Sequence, residues 1–206
     1  MNPSEKTYYQ FNEPQKIIFQ SLVDLKCISG LVASDYYKKI EFFSGNFCSL
    51  SIFLDYCASK CGSEKLSYDE AMNMAFCLGQ QIYHFEKNGF GCFHLDPNKI
   101  FVIDDGRVFI YLGEDLKPIF SNSDGLCVIE ISTPFSKINR ISRLAPELLQ
   151  VESLPCEISH KCVYYSLGSL IESLLIPLEQ LKGTPLVSFI HRSMNKNWEN
   201  RTLLFL

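Results

Sequence analysis

With 206 residues, 47% of them hydrophobic and 20% charged, the chain can bury one good core and falls within the size of a single domain. A net charge of −4, with lysine and arginine scattered along the sequence, excludes the basic stripe of a nucleic-acid binder, so no nucleic-acid partner is expected. The nine cysteines, at 27, 48, 57, 61, 77, 92, 127, 156 and 162, form no C-x-x-C pair, which argues against a disulfide framework or zinc site and for free thiols packed as small hydrophobes in a reducing, cytoplasmic setting.

The first residues, MNPSEKTYYQFNEPQK, are polar without an apolar leader core, and nowhere do ~18 apolar residues run together, so no transmembrane segment is expected. Over residues 13 to 28, Ile17, Ile18, Leu22, Leu25 and Ile28 recur at helical spacing, with Pro14 tolerable in the first turn. Residues 38 to 55 hold two apolar runs broken by Ser44-Gly45-Asn46, which predicts two strands about a turn, ahead of Phe53-Leu54-Asp55-Tyr56-Cys57. Residues 67 to 87 open on Ser67 with Glu70 three positions on, a capping box, and continue as an apolar stripe of Ala71, Met74, Ala75, Leu78, Ile82 and Phe85. A long core helix is predicted there.

Residues Ile100 to Ile103 and Arg107 to Tyr111 are short β-branched or aromatic runs joined by Asp104, Asp105 and Gly106, a hairpin signal. Residues 114 to 144 carry serine, asparagine, glycine and proline and predict an irregular stretch. Residues 162 to 176, CVYYSLGSLIESLLI, are apolar nearly all round, as a buried central helix would be. A further apolar segment runs from Leu186 to Met194, before Asn195-Lys196-Asn197-Trp198-Glu199-Asn200-Arg201-Thr202.

Several of these segments resemble the landmarks of a protein kinase. Phe93-His94-Leu95-Asp96-Pro97-Asn98-Lys99 falls where kinases carry H-R-D-L-K-P-E-N, Tyr111-Leu112-Gly113 where they carry D-F-G, and Ala145-Pro146-Glu147 matches A-P-E. Tyr165-Ser166-Leu167-Gly168 resembles the central helix of the large lobe, and Arg201 the arginine that pairs with the A-P-E glutamate, so the resemblance implies an ion pair between Glu147 and Arg201. It implies an α+β, mainly α fold: a kinase-like large lobe over residues 57 to 206, with a reduced small-lobe remnant over 1 to 56, in one domain. Before the first helix about a dozen residues remain, whereas a glycine-rich loop and lysine-bearing strand need three strands, on the order of 30 residues. None of the eleven glycines forms G-x-G-x-x-G.

Phosphoryl transfer needs a carboxylate beside the substrate hydroxyl, a lysine at the phosphates and hard oxygen ligands for magnesium. In the ungapped register His94 takes the position of the base, Asp96 replaces the phosphate-facing lysine, Lys99 the metal-binding asparagine and Tyr111 the metal-binding aspartate. A second register reads His94-Leu95-Asp96 as the H-R-D triplet; it restores Asp96 as a base and Asn98 as a possible ligand but leaves Tyr111 in place of the aspartate. Val163 stands where the central helix of kinases carries the aspartate that binds the catalytic-loop backbone. Neither catalysis nor a cofactor is therefore expected.

Over residues 49 to 203 the chain is similar to the KIND domain, the kinase non-catalytic C-lobe module of actin-nucleation and scaffold proteins, and to truncated pseudokinases. Such a resemblance implies protein binding: a basic peptide segment, as in formins, or a true kinase. Asp104, Asp105, Glu114 and Asp115 lie near the degenerate cleft and are the candidate contacts for a basic peptide, with a solvated acidic loop as the alternative. The readings left open beside a binding module are a regulatory, pathogen or viral pseudokinase that binds a true kinase or nucleotide, and an atypical phosphotransferase that uses Asp96 or His94.

Overall fold

The computed structural model describes residues 5–10, 16, 18, 32–34, 39–44, 46–62, 64–135, 143–175 and 177–203. In chain order these form β1 (Glu5–Gln10), β2 (Val32–Ser34), β3 (Lys39–Ser44), β4 (Phe47–Ser49), α1 (Leu50–Cys61), α2 (Tyr68–Lys87) and β5 (Phe90–Gly91). A 3-10 turn (Pro97–Lys99) leads into β6 (Ile100–Ile103) and β7 (Val108–Tyr111), then the short β8 (Lys117–Pro118), β9 (Phe120–Ser121) and β10 (Cys127–Ile131). The rest comprises α3 (Pro146–Leu149), β11 (Cys156–Ser159), α4 (Cys162–Leu174) and α5 (Pro185–Ser193), with 3-10 turns at Leu178–Leu181 and Trp198–Asn200.

Helix α2 is where local sequence and tertiary structure agree most closely. The Ser67 side chain accepts from the Glu70 amide at 3.3 Å while the Glu70 carboxylate accepts from the Ser67 amide at 2.7 Å, closing the capping box. Ala71, Met74, Ala75, Leu78, Ile82 and Phe85 are all buried, against strand β7 on one side and helix α4 on another. Helix α4 is buried on nearly every face and packs in turn on α5. At Gly168 the two helices approach so closely that a Cβ would lie 2.1 Å from Ser193 Oγ and 2.8 Å from Met194 Cγ.

Residues 47 to 61 depart from the expected pair of strands. Strands β3 and β4 do flank the turn, but β3 pairs with β1 and β2, whereas β4 pairs with β6 in the order β4-β6-β7. From Leu50 the chain is helical: Ser49 caps α1 by accepting from the Ile52 amide at 3.4 Å, and Gly62, at φ 70°, ends it. The apolar run is amphipathic rather than alternating, with Leu50, Phe53, Leu54 and Cys57 buried and Ile52 and Tyr56 exposed. The division expected between residues 56 and 57 thus falls inside one continuous helix.

Of the predicted helix over 13 to 28 only Lys16 and Ile18 are described; both are helical, and Ile18 is fully buried in the main core. The expected irregular stretch 114 to 144 carries strands β8, β9 and β10, and β10 pairs antiparallel with β9 and β11. Beneath that sheet a second apolar cluster gathers Phe93, Ile129, Ile131, Leu144, Leu148 and Ile158. It supports the segment carrying His94 and Asp96 from below.

Candidate functional site

The segment between β5 and β6 is held from three directions. Leu95 is fully buried, and its backbone amide donates to Ser166 Oγ at 2.9 Å. The central helix therefore still grips this loop, through a hydroxyl one turn beyond Val163. The acceptor is a neutral hydroxyl, where the resemblance places an aspartate at Val163. Asp96 Oδ1 accepts from the amide and the side-chain Nδ2 of Asn98, both at 3.0 Å, so its carboxylate caps the Pro97–Lys99 turn. The Leu112 amide donates to the Lys99 carbonyl at 2.8 Å, tying the end of β7 to the same turn.

Tyr111 sits at the centre of this arrangement. Its amide donates to Gln81 Oε1 at 2.8 Å and its carbonyl accepts from Gln81 Nε2 at 3.1 Å, so one glutamine of α2 reads both backbone groups. The ring is buried, and its hydroxyl lies by the Asp96 backbone. Burial, reinforced by Cys92, Asp115 and Asp96 nearby, pushes the phenol well above its ordinary pKa and keeps it protonated. A buried neutral phenol offers magnesium no charged oxygen. The ring also fills the space ahead of it, since a Cβ on Gly113 would lie 2.0 Å from the Tyr111 hydroxyl.

His94, Asp96, Tyr111 and Asp115 are brought together. His94 is half-buried with Nδ1 enclosed and unpartnered; burial lowers its pKa, against the opposing pull of Asp115 and Asp96. Its ring lies 4.5 Å from that of Phe93, centroid to centroid. Lys99 is exposed on the outside of the turn. Among the described residues no three histidine, cysteine, aspartate or glutamate side chains are grouped to hold a metal ion.

The four candidate acidic contacts do not form one patch. Asp104 and Asp105 occupy the hairpin turn with left-handed backbones (φ 51° and 55°), whereas Glu114 and Asp115 follow the opposite end of β7, roughly 10 Å away at the usual rise per residue. The turn aspartates have structural work: Asp105 Oδ1 accepts from Asn46 Nδ2 at 2.7 Å, and the Asp104 amide donates to the Asn46 carbonyl at 3.0 Å. Glu114 and Asp115 are exposed.

Glu147, at the start of α3, meets Arg201, 54 positions further along the chain. Arg201 is fully buried; Nη1 and Nη2 donate to the two carboxylate oxygens, the latter at 2.8 Å, Nε donates to the Asn195 carbonyl at 2.8 Å, and the guanidinium lies 5.1 Å from the Tyr165 ring centroid. Cys162 Sγ adds a donor to Glu147 at 3.0 Å. Burial alone would raise the Glu147 pKa, but the hydrogen bonds from Arg201 and Cys162 together outweigh it and hold the carboxyl below its ordinary value.

A second cluster has no counterpart in the sequence patterns. Glu86, in the last turn of α2, accepts from the Tyr164 hydroxyl through Oε2 at 2.7 Å, while Oε1 is buried without a hydrogen bond from the protein and His160 Nε2 stands 3.9 Å from it. Glu86 and Tyr164 border a cavity of about 420 Å³ between α2, the start of α4 and Thr202-Leu203. Glu86 and Tyr164 are 78 positions apart, so no local spacing signals the pair.

No family model matches the chain, and no curated protein matches it. Solved structures do. The chain is similar to ROP2 from Toxoplasma gondii, described as a virulence factor with a protein-kinase fold and no enzymatic activity, with a TM-score of 0.52 and 13% identity over 96% of this chain and 67% of that one. It is similar to a rhoptry kinase from Toxoplasma gondii with a TM-score of 0.51 and 12% identity, over 98% of this chain and 72% of that one. Identities this low speak to architecture alone, and the chain has a protein-kinase-like α+β fold.

Proposed function

We propose that the chain is a non-catalytic protein-interaction module built on a kinase-like framework, as a single domain of the KIND type or a free-standing pseudokinase in a reducing, cytoplasmic compartment. The observation that carries this reading is Tyr111: a buried, protonated phenol, fixed through its backbone by Gln81, at the position where the resemblance places the magnesium-binding aspartate. Asp96 is spent on capping its own turn, and Lys99 faces solvent. What is retained, the Glu147–Arg201 pair and the Ser166–Leu95 bond, supports the fold rather than a reaction. The partner is a protein, and the resemblance offers two kinds, one presenting a basic segment and a true kinase. The inactivity described for the Toxoplasma gondii virulence factor is consistent with this framework working without phosphoryl transfer.

Thermal unfolding with and without saturating ATP, in Mg²⁺ and in EDTA, tests the proposal. A nucleotide held at a hundred times its Kd adds about 2.7 kcal/mol of stability and a plainly higher midpoint. No shift in either condition is expected. A Mg²⁺-dependent rise would overturn the reading in favour of a nucleotide-binding regulatory pseudokinase or an atypical phosphotransferase.

A further inference from the structure

The degenerate cleft leaves the Glu86 cavity unused. Its wall is mostly apolar or aromatic: Gly79 contributes no side chain, Tyr83 stands at the rim 64% exposed, and Tyr164 and Leu203 close other sides. Glu86 and Thr202 are lining residues as well, and each carries a buried oxygen, Glu86 Oε1 and Thr202 Oγ1, without a hydrogen bond from the protein. Lys161 and Arg201 also line the cavity and His160 stands beside Glu86, but none of the three hydrogen-bonds either oxygen. Lys161 Nζ is held by the Glu199 carbonyl at 3.0 Å, Arg201 is committed to Glu147, and His160 Nδ1 bonds the Cys127 carbonyl, leaving Nε2 3.9 Å from Glu86. An anionic ligand would meet the Glu86 carboxylate, and a purely apolar one would leave both acceptors unpaired. A flat cation that donates several hydrogen bonds and stacks on a tyrosine ring pairs both oxygens, with Lys161 and Arg201 already drawn off to Glu199 and Glu147.

We infer that this cavity is the receptor for an arginine side chain of the partner protein, the guanidinium bonding Glu86 Oε1 and Thr202 Oγ1 with its stem against Tyr83 and Leu203. The inference deepens the interaction-module reading and rests on it, and it places the basic anchor at the junction of α2 and α4, away from the hairpin acids. About 420 Å³ is the size of a small-ligand site and admits an arginine side chain together with part of its flanking backbone.

The test is titration of the intact chain, followed by amide NMR or calorimetry, with n-butylguanidinium, its neutral isostere n-butylurea, and a blocked pentapeptide of four glycines around one arginine. The expected result is millimolar binding of the guanidinium and the peptide, with shifts centred on Tyr83, Glu86 and Tyr164, and binding of the urea at least about tenfold weaker, the loss expected for a charge-assisted hydrogen bond. Glu86→Gln, which keeps an acceptor for the Tyr164 hydroxyl, weakens the guanidinium by a similar factor. Tyr83→Ala, at a largely exposed position where folding is not at stake, also weakens it. Equal binding of urea and guanidinium, or full affinity in Glu86→Gln, would overturn the inference. Binding of butylguanidinium but not of the peptide would overturn its protein-partner part and point to a free amine-type ligand. Failure of all three probes would remove the site while leaving the interaction-module reading to stand on the nucleotide experiment.

Discussion

Replacing Arg201 by methionine tests whether the framework's stability runs through the Glu147 pair. The substitution keeps an unbranched side chain of similar reach in a site with no solvent exposure, and removes donors to Glu147 and to the Asn195 carbonyl. Removing one partner of a buried pair typically costs about 3–5 kcal/mol. Glu147 retains 21% exposure and its Cys162 donor, so water recovers part of that loss and the lower end, about 3 kcal/mol, is expected. In a chain of this length that is a fall in midpoint of about 6–12 °C. Urea denaturation of the wild type, Arg201→Met, Glu147→Gln and the double variant gives the coupling. Glu147→Gln strands the fully buried guanidinium, so it too costs about 3 kcal/mol or more, and the double variant falls short of the sum of the singles by at least about 2 kcal/mol. Because the folded pKa of Glu147 lies below its unfolded value, the pair's contribution is present above the unfolded pKa and is lost as pH falls through the folded one; the gap between wild type and Arg201→Met should close in acid. Additivity within about 0.5 kcal/mol, or a gap that does not depend on pH, would refute the reasoning.

Gly168→Ala should lower stability by about 1–3 kcal/mol by the same denaturation assay, whereas the usual helix preference for alanine would raise it by about 1 kcal/mol, so the sign reports the α4–α5 approach. Ser166→Ala leaves the buried Leu95 amide without its acceptor and should cost about 1–3 kcal/mol, with hydrogen exchange of that amide accelerated. Glu86 has the opposite pH behaviour to Glu147: burial raises its folded pKa, against the lowering effects of Tyr164, His160 and Lys161, so the stability it confers is present below the unfolded value and lost as pH rises through the folded one. Glu86→Gln should therefore be at least as stable as the wild type at neutral pH and lose that advantage in acid; a clear destabilisation at neutral pH would contradict this.

What could be read from the sequence was what local chemistry decides. The capping box of α2, its apolar stripe and the Asp104-Asp105-Gly106 turn each place their determinants within a few residues, and each appears in the structure. Helix α1 was legible in principle, since Leu50, Phe53, Leu54 and Cys57 have helical spacing behind a serine cap, but the phenylalanine- and cysteine-rich run suits a strand equally well. Its choice was made by tertiary packing: β4 ends as it pairs with β6, and the helix then closes the core beside that sheet. The clustering of His94, Asp96, Tyr111 and Asp115 follows from the kinase-like ordering of the segments. Ser166 taking over from Val163, and Glu86 meeting Tyr164, depend on how two helices rotate against each other, which no single-segment pattern encodes.

The Gln81 clamp has a consequence for how this chain could have come by its present sequence. A primary amide carries a donor and an acceptor side by side, so it recognises a stretch of backbone without regard to the side chain attached to it. With the strand's register secured in that way, position 111 is released from any duty to hold the hairpin in place. A charged ligand could be exchanged there for a large aromatic ring without the hairpin slipping, because the part of the residue that the helix grips is the part every amino acid shares.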